Sequence, residues 1–154
     1  MRDIVAHADI LFGNDRDIAL MLGQGFAQDQ AVDRFAAAAE VAFKQWPRLR
    51  CMASTARTHH SAGHQHVRGL YATRDGLTTT DMVELEGIVD RIGTGDAFAA
   101  GLLHRQFAGA SDSEALAFAM AAFCLKHSVV GDASPFRASD IEAFMASQQL
   151  DVRR

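Results

Sequence analysis

The residues with the clearest chemical potential lie in segment 90–101, which reads DRIGTGDAFAAG. Gly93 and Gly95 permit backbone angles that a side chain would forbid. From Asp96 onward, apolar residues recur at three- and four-residue spacing, which predicts a helix. The apolar residues of this pattern are Phe98, Ala99, Leu102, Leu103 and Phe107. The first amides of such a helix lack partners within it and lie at the positive end of its dipole, so the turn suits an anion, phosphate above all.

A carboxylate at the mouth of an anion site is unusual, because Asp96 would repel a phosphate. The chemistry that would explain it is proton transfer: Asp96 would take the proton of a hydroxyl that attacks the phosphate. A bare Gly-x-Gly before a helix is also compatible with a tight strand-to-helix turn that binds nothing. Two better-known phosphate motifs are excluded, since the chain has no GxxxxGK[ST] sequence and Phe98 stands where a Rossmann motif needs a small residue.

Composition narrows the class of protein. The chain has 154 residues, of which 49% are hydrophobic and 22% charged, and its net charge is -4. These values are typical of one globular domain over residues 1–154 and give no indication of a nucleic-acid partner. Cys51 and Cys124 form no CxxC motif, which favours free thiols in a reducing compartment. With no signal peptide and no apolar run of about 20 residues, a cytoplasmic protein without a membrane partner is predicted.

Strands and helices are predicted to alternate along the chain. Strands are expected at 9–13, 49–55, 66–74 and 77–85, with an Asp75-Gly76 hairpin turn, and helices at 15–22, 29–46 and 96–107. Two Ser-x-x-Glu capping boxes, at Ser111 and Ser139, predict helices that run to about 127 and 149. This alternation indicates an α/β fold with a largely parallel sheet.

A histidine-rich segment contains residue types that could bind a metal ion. His59, His60, His64 and His66 have a spacing that resembles a metal site. No cysteine or carboxylate is close to them in sequence, and residues 57–63 are predicted to be a loop. A solvated or substrate-adjacent loop is therefore favoured over a metal site.

Segment 90–101 as a whole resembles the C-terminal signature of the ribokinase-like (PfkB) sugar kinases. Segments 13–17, 52–57 and 124–132 resemble further parts of the family in the same order, and the last is similar to its 2-dehydro-3-deoxygluconate kinase branch. The resemblance implies a ribokinase-like three-layer α/β fold of the Rossmann type, truncated to its C-terminal half.

The resemblance also implies roles for the glycine-rich turn. In the family this turn is an anion hole and its aspartate is the catalytic base. Asp96 would therefore deprotonate the acceptor hydroxyl, and the amides of Gly93, Thr94 and Gly95 would hold the charge of the transferred phosphoryl group.

Further residues acquire expected roles in the same way. The family has Asn-x-x-Glu near its magnesium, which implies that Asn14 and Asp17 position Mg²⁺, with Asp17 one methylene shorter than the family's Glu. The nucleotide, ATP, would lie against Thr55, Arg57 and Lys126. A surface salt bridge remains the alternative for Arg57, and a favourable charge at a helix C-terminus remains the alternative for Lys126.

The implied function is ATP-dependent phosphoryl transfer to the hydroxyl of a sugar acid, as in 2-dehydro-3-deoxygluconate kinase. Another sugar or nucleoside acceptor, and a nucleotide-binding remnant without catalysis, are the alternatives. Chains of the family are considerably longer, and their N-terminal half carries most of the sugar-binding residues. The isolated chain is therefore expected to have weak or no activity, with a complementing N-terminal half or a second copy of itself as its partner.

Overall fold

The computed structural model describes residues 1–61 and 63–151. The helices are α1 Arg2–Val5, α2 Asp15–Leu22, α3 Ala31–Gln45, α4 Thr94–Phe107, α5 Asp112–Lys126 and α6 Ala138–Asp151. The strands are β1 Ile10–Phe12, β2 Cys51–Ser61, β3 His64–Thr73, β4 Leu77–Thr79 and β5 Val83–Glu86. The described chain contains both helices and strands, but the predicted alternation holds only near its start: four strands follow one another after α3, and three helices follow β5. None of the described helices combines the length and apolar character that crossing a membrane requires.

Strands β1, β2, β3 and β4 are neighbours in that order, and β5 also pairs with β3. Strand β1 is parallel to β2, whereas β4 and β5 are both antiparallel to β3. The expectation of a largely parallel sheet is therefore wrong for the pairs that β3 forms with β4 and β5. The reason for the antiparallel pairing of β3 with β4 is the tight turn at Asp75-Gly76, where the amide of Thr73 donates to the carbonyl of Gly76 at 2.9 Å. Such a turn joins only antiparallel strands.

Two other strand predictions need correction. Residues 57–61, predicted as part of a loop, continue β2 to Ser61. The predicted strand 77–85 is two short strands, β4 and β5, which pair with different halves of β3. Both errors concern where strands begin and end and which strands pair, which a pattern of residue types alone does not specify.

Of the two predicted Ser-x-x-Glu capping boxes, one marks the start of a helix and the other does not. The first capping box is confirmed, because the Ser111 side chain accepts from the amide of Glu114 while the Glu114 carboxylate accepts from the amide of Ser111. The second is wrong: α6 begins at Ala138, which places Ser139 inside the helix. The carboxylate of Asp140 accepts from the Arg137 amide instead, at 2.8 Å.

The described residues form two compact units, each with its own core. Unit 1 contains Met1–Ala56 and Gly69–Thr79. Its core is the apolar face of α3, packed with residues of α2, β2 and β3. The largest side chains of this core are Phe35, Phe43, Trp46, Leu49, Met52 and Leu70.

Unit 2 contains the described residues of Arg57–Arg68 and Thr80–Arg154. Helix α4 packs against α5, and α5 against α6. Gly101 allows the close approach of α4 to α5, because a Cβ there would lie 3.0 Å from the Cα of Ala119. Phe107, predicted to belong to the apolar face of α4, is 86% exposed. The two cysteines, one in each unit, are free thiols, as predicted, and both are buried.

His127, at the end of α5, is a buried polar group of unit 2. Its Nδ1 donates to the carbonyl of Phe123 at 2.8 Å, so its Nε2 can accept from the side-chain amide of Gln65 at 3.2 Å. Burial lowers the pKa of His127, and the positive charges of Arg57, Arg91 and Lys126 lower it further against the opposing effect of the Phe123 carbonyl. His127 is therefore neutral at pH 7, and it does not act as a cation at the helix end.

We expect the free energy of unfolding to fall as the pH is lowered below about 6.5, the ordinary histidine pKa. The unfolded chain then binds a proton that folded His127 resists, so its contribution is intact above that value and is lost as the pH falls toward the folded pKa. Urea denaturation followed by circular dichroism at pH 7.5 and 5.5 measures the loss. His127→Gln should reduce it, while the exposed His104→Gln should not. Equal pH dependence of all three proteins would contradict the assignment.

Candidate functional site

The glycine-rich turn leads into α4, which begins at Thr94, two residues earlier than predicted. Gly93 is the N-cap residue and lies in the left-handed region, with φ 72° and ψ 2°. Gly95 is the second residue of the helix and has no positive φ. Gly93 therefore uses the backbone freedom that glycine permits, whereas Gly95 does not. Asp96 is the third helical residue, and its side chain is exposed.

A second loop closes over Gly93. A Cβ built on Gly93 would lie 2.0 Å from the backbone oxygen of Asp132 and 2.8 Å from its carbonyl carbon. No side chain fits in that space, so Gly93 is required both for its backbone angles and for the approach of the loop. The contact places residues 131–132 directly against the start of α4.

Asp90 ties the two loops together. One of its carboxylate oxygens accepts from the amides of Arg91 and Ile92, at 2.6 and 3.0 Å, and the other accepts from the amide of Gly131 at 2.8 Å. The hydrogen bonds from Ile92 and Gly131 lower the pKa of Asp90, so the carboxylate is ionised at neutral pH. This role of Asp90 was not predicted.

Lys126 holds the second loop from the other side. The side chain is fully buried, and its ammonium donates to the carbonyls of Val129, at 3.2 Å, and Gly131, at 2.5 Å. The backbone amide of Val89 also donates to the carbonyl of His127, at 2.9 Å. Lys126 therefore shapes the loop that covers Gly93. Its contact with a nucleotide stays a prediction.

The amides at the start of α4 are the groups that could bind an anion. The first bond of the helix runs from the amide of Ala97 to the carbonyl of Gly93, at 2.9 Å. No side chain caps the helix within the part of the chain that the structure describes. A Cβ on Gly95 would meet nothing within 4 Å, so space is open beside these amides. Unpaired amides at a helix N-terminus are a common way to bind phosphate.

Arg57 and Arg91 of the same unit lie close enough for their charges to interact. The guanidinium of Arg57 lies 5.0 Å from the centre of the Phe123 ring. Partial burial and the charge of Arg91 lower the pKa of Arg57, although a guanidinium remains charged at neutral pH. Among the described residues Arg57 forms no ion pair, so the alternative of a surface salt bridge is not supported. Two neighbouring cations of this kind favour an anionic ligand.

Asn14, Asp17 and Thr55 belong to unit 1. Asn14 and Asp17 form a reciprocal capping box at the start of α2: the Asn14 side chain accepts from the amide of Asp17 at 3.2 Å, and the Asp17 carboxylate accepts from the amide of Asn14 at 2.7 Å. Thr55 lies on β2 and is half-buried. The capping box accounts for both residues without a metal, and their carboxylate and amide oxygens are also donors that suit Mg²⁺.

Each unit thus brings together one set of the predicted residues. The unit 2 set is Arg57, Gly93, Thr94, Gly95, Asp96 and Lys126; the unit 1 set is Asn14, Asp17 and Thr55. Asp90 is the functional residue that sequence reasoning missed. Its position three residues before a glycine, at the start of a turn, is typical of aspartates that accept from backbone amides, and this signal could have identified it.

Comparisons with known proteins were made by family, by sequence and by structure. No family model matches the chain, and no curated protein matches it in sequence. Solved structures do match. A PfkB family carbohydrate kinase from Listeria grayi is 27% identical with a TM-score of 0.81, and the match covers 94% of this chain and 43% of that one.

The 2-dehydro-3-deoxygluconokinase of Thermotoga maritima is 26% identical with a TM-score of 0.84, over 94% of this chain and 44% of that one. An E. coli protein named as a candidate ribokinase II, solved in complex with ATP and Mg²⁺, shares the fold at 17% identity and a TM-score of 0.67, over 95% of this chain and 42% of that one.

The chain therefore spans less than half the length of the kinases that it matches. These matches bear out the ribokinase-like α/β fold in truncated form. In structure the chain corresponds to a part of a PfkB carbohydrate kinase. Its structural neighbours of this type include a 2-dehydro-3-deoxygluconokinase.

Proposed function

We propose that this chain carries the phosphoryl-transfer site of an ATP-dependent sugar-acid kinase of the 2-dehydro-3-deoxygluconate kinase type. The observation that carries the proposal is the start of α4, where uncapped amides follow a left-handed Gly93 over which residues 131–132 close. A turn that served only to connect two elements would not need this closure. The similarity to 2-dehydro-3-deoxygluconokinase supports the choice of substrate class.

Asp96 is proposed as the catalytic base. Its carboxylate is exposed on the first turn of α4, beside the amides that would bind the phosphoryl group. A hydroxyl held there could transfer its proton to Asp96 as it attacks. The amides of Gly93, Thr94 and Gly95, with the helix dipole, would stabilise the negative charge on the transferred group.

ATP would supply the phosphoryl group, and Mg²⁺ would neutralise its charge. Arg57 and Lys126 of unit 2 are proposed to contact the nucleotide. The expected nucleotide role of Thr55, which belongs to unit 1, stays a prediction. Asn14 and Asp17 would hold Mg²⁺ through its water shell, because Asn14 Oδ1 and Asp17 Oδ2 already accept hydrogen bonds from backbone amides. The E. coli neighbour solved with ATP and Mg²⁺ supports both cofactors through its fold alone.

The acceptor must be held by residues outside this set, since the kinases that the chain matches are more than twice as long as the matched part. A complementing segment or a second copy of the chain would provide them. Val89, Ile92 and Val130 flank the glycine-rich turn and are 57%, 60% and 79% exposed. These apolar side chains support a partner surface next to the turn.

The second candidate function is nucleotide binding without phosphoryl transfer. The observation that favours it is the capping box of α2, which accounts for Asn14 and Asp17 without a metal. The two candidates differ in one respect, because only the kinase requires the Asp96 carboxylate.

Gly93→Ala should destabilise the chain by roughly 1–3 kcal/mol, because a side chain is strained at φ 72°. The clash with the Asp132 carbonyl should also displace the second loop. Gly95→Ala is the matched variant: it should fold normally, since a Cβ there meets nothing within 4 Å, but it should weaken binding of Mg-ATP by narrowing the space beside the amides. Urea denaturation and calorimetry measure the two effects.

The two glycine variants would contradict the proposed anion site in different ways. If Gly93→Ala were as stable as the wild type, the closure of the second loop would not be required for the fold. If Gly95→Ala bound Mg-ATP with unchanged affinity, the amides of α4 would not be the phosphate site.

Asp96→Asn should lower the rate of phosphoryl transfer by about 10²–10⁴-fold, the usual contribution of a general base. Affinity for Mg-ATP should stay constant or rise, since a negative charge beside the phosphate is removed. The rate is measured as ADP release with 2-dehydro-3-deoxygluconate, after this chain is combined with the complementary part of the Thermotoga maritima kinase. Affinity is measured on the chain alone by calorimetry.

Asp112→Asn is the control for Asp96→Asn. Asp112 is also an exposed carboxylate in the first turn of a helix, α5, and it has no proposed role. Normal transfer by Asp96→Asn would exclude Asp96 as the base. Wild-type binding of Mg-ATP without any transfer in the combined protein would favour the second candidate.

A further inference from the structure

The antiparallel pairing of β3 with β5 brings a carboxylate to two of the histidines in the histidine-rich segment. His66 lies directly opposite Glu84 in the register, and His64 lies two residues along the same strand. Side chains two residues apart on a strand point to the same face. His64 and His66 therefore share one face of β3 with Glu84 of the neighbouring strand.

The ligand atoms of these three residues converge. His64 Nε2 is 2.7 Å from Glu84 Oε1, and His66 Nε2 is 3.8 Å from the same oxygen. One ligand atom from each residue lies within 4.8 Å of the other two. Among the described residues, His64, His66 and Glu84 are the group of three potential metal ligands whose ligand atoms lie this close to one another.

These distances fit a zinc-sized ion. Zinc binds imidazole nitrogen and carboxylate oxygen at about 2.0–2.2 Å in tetrahedral geometry, so two ligand atoms of one ion lie about 3.3 Å apart. The two measured distances, 2.7 and 3.8 Å, lie on either side of this value. Small side-chain rotations would equalise them, and the partial exposure of all three side chains leaves room for such rotations and for entry of the ion.

The ligand types define which metal would bind. Imidazole nitrogen suits zinc and other late first-row divalent ions, whereas Mg²⁺ prefers oxygen ligands alone. We propose that His64, His66 and Glu84 form a binding site for Zn²⁺ or a related divalent ion, with water completing the coordination. The site uses none of the residues proposed for phosphoryl transfer, and its ion would connect β5 to β3.

The competing explanation is a surface ion pair between His64 and Glu84. A pair that is this exposed contributes little to stability and would not require a metal ion. The two explanations differ in a direct observable, which is saturable binding of one metal ion per chain that depends on His66 as well as on His64.

Calorimetric titration of the full chain, without a histidine tag, with Zn²⁺ tests the site, and Co²⁺ provides a visible absorption spectrum that reports coordination by nitrogen. We expect one ion per chain. His66→Ala and Glu84→Gln should each weaken binding at least about tenfold, as loss of a metal ligand requires. Glu84→Gln keeps the shape of the side chain and a hydrogen-bonding group, so it should leave the fold intact by circular dichroism.

Two control variants separate the site from general surface binding. His7→Ala removes an exposed histidine of unit 1, and Asp112→Asn removes an exposed carboxylate in the first turn of α5. Both should bind zinc with wild-type affinity. Cys51 and Cys124 are buried and should not compete for the ion. Absence of saturable zinc binding, or an equal loss of affinity in Asp112→Asn and Glu84→Gln, would overturn the proposal.

Discussion

The carboxylate of Asp90 is the interaction on which the candidate site depends. It accepts from backbone amides of its own turn and from the amide of Gly131, 41 residues away in the sequence. Because charged acceptors form stronger hydrogen bonds than neutral ones, the two loops are joined at one point. The joined loops in turn leave no space for a Cβ on Gly93. A glycine at that position and an aspartate three residues before it are therefore two parts of one structural requirement.

Charge in unit 2 is arranged consistently with an anionic ligand. Burial is the main cause that lowers the pKa of His127, and the charges of Arg57, Arg91 and Lys126 lower it further, so the imidazole remains neutral. A charged His127 would have added a further positive charge to a group that already repels itself. Lys126 is neutralised in part by the carbonyls of Val129 and Gly131, which are dipoles and not charges. The charge of Lys126 also helps to lower the pKa of the Asp90 carboxylate, so these two side chains balance each other in part.

The sequence was informative where the determining contacts are local. The end of α2 at Gly23 and the Ser111–Glu114 capping box involve residues within a few positions of each other, so their types identify them. The extension of β2 through residues 57–61 and the division of segment 77–85 depend on which strand each residue pairs with. Pairing between distant segments also explains Glu84, a ligand type that sequence proximity to the histidines did not reveal. Asp90 belongs to the same class, because its bond to Gly131 spans two loops.

Division of the predicted residues between two units bears on what a chain of this length can do. Binding of a phosphate needs only the amides at the start of α4 and the nearby cations, and all of these belong to unit 2. Phosphoryl transfer needs more, because a misplacement of about 1 Å between the reacting groups can cost about 10²-fold in rate. The chain spans less than half of the matched kinases, so in the proposed reaction groups outside this chain would hold the acceptor hydroxyl at Asp96. Anion binding by unit 2 and phosphoryl transfer are therefore separable parts of the proposal, and only the second would need a partner.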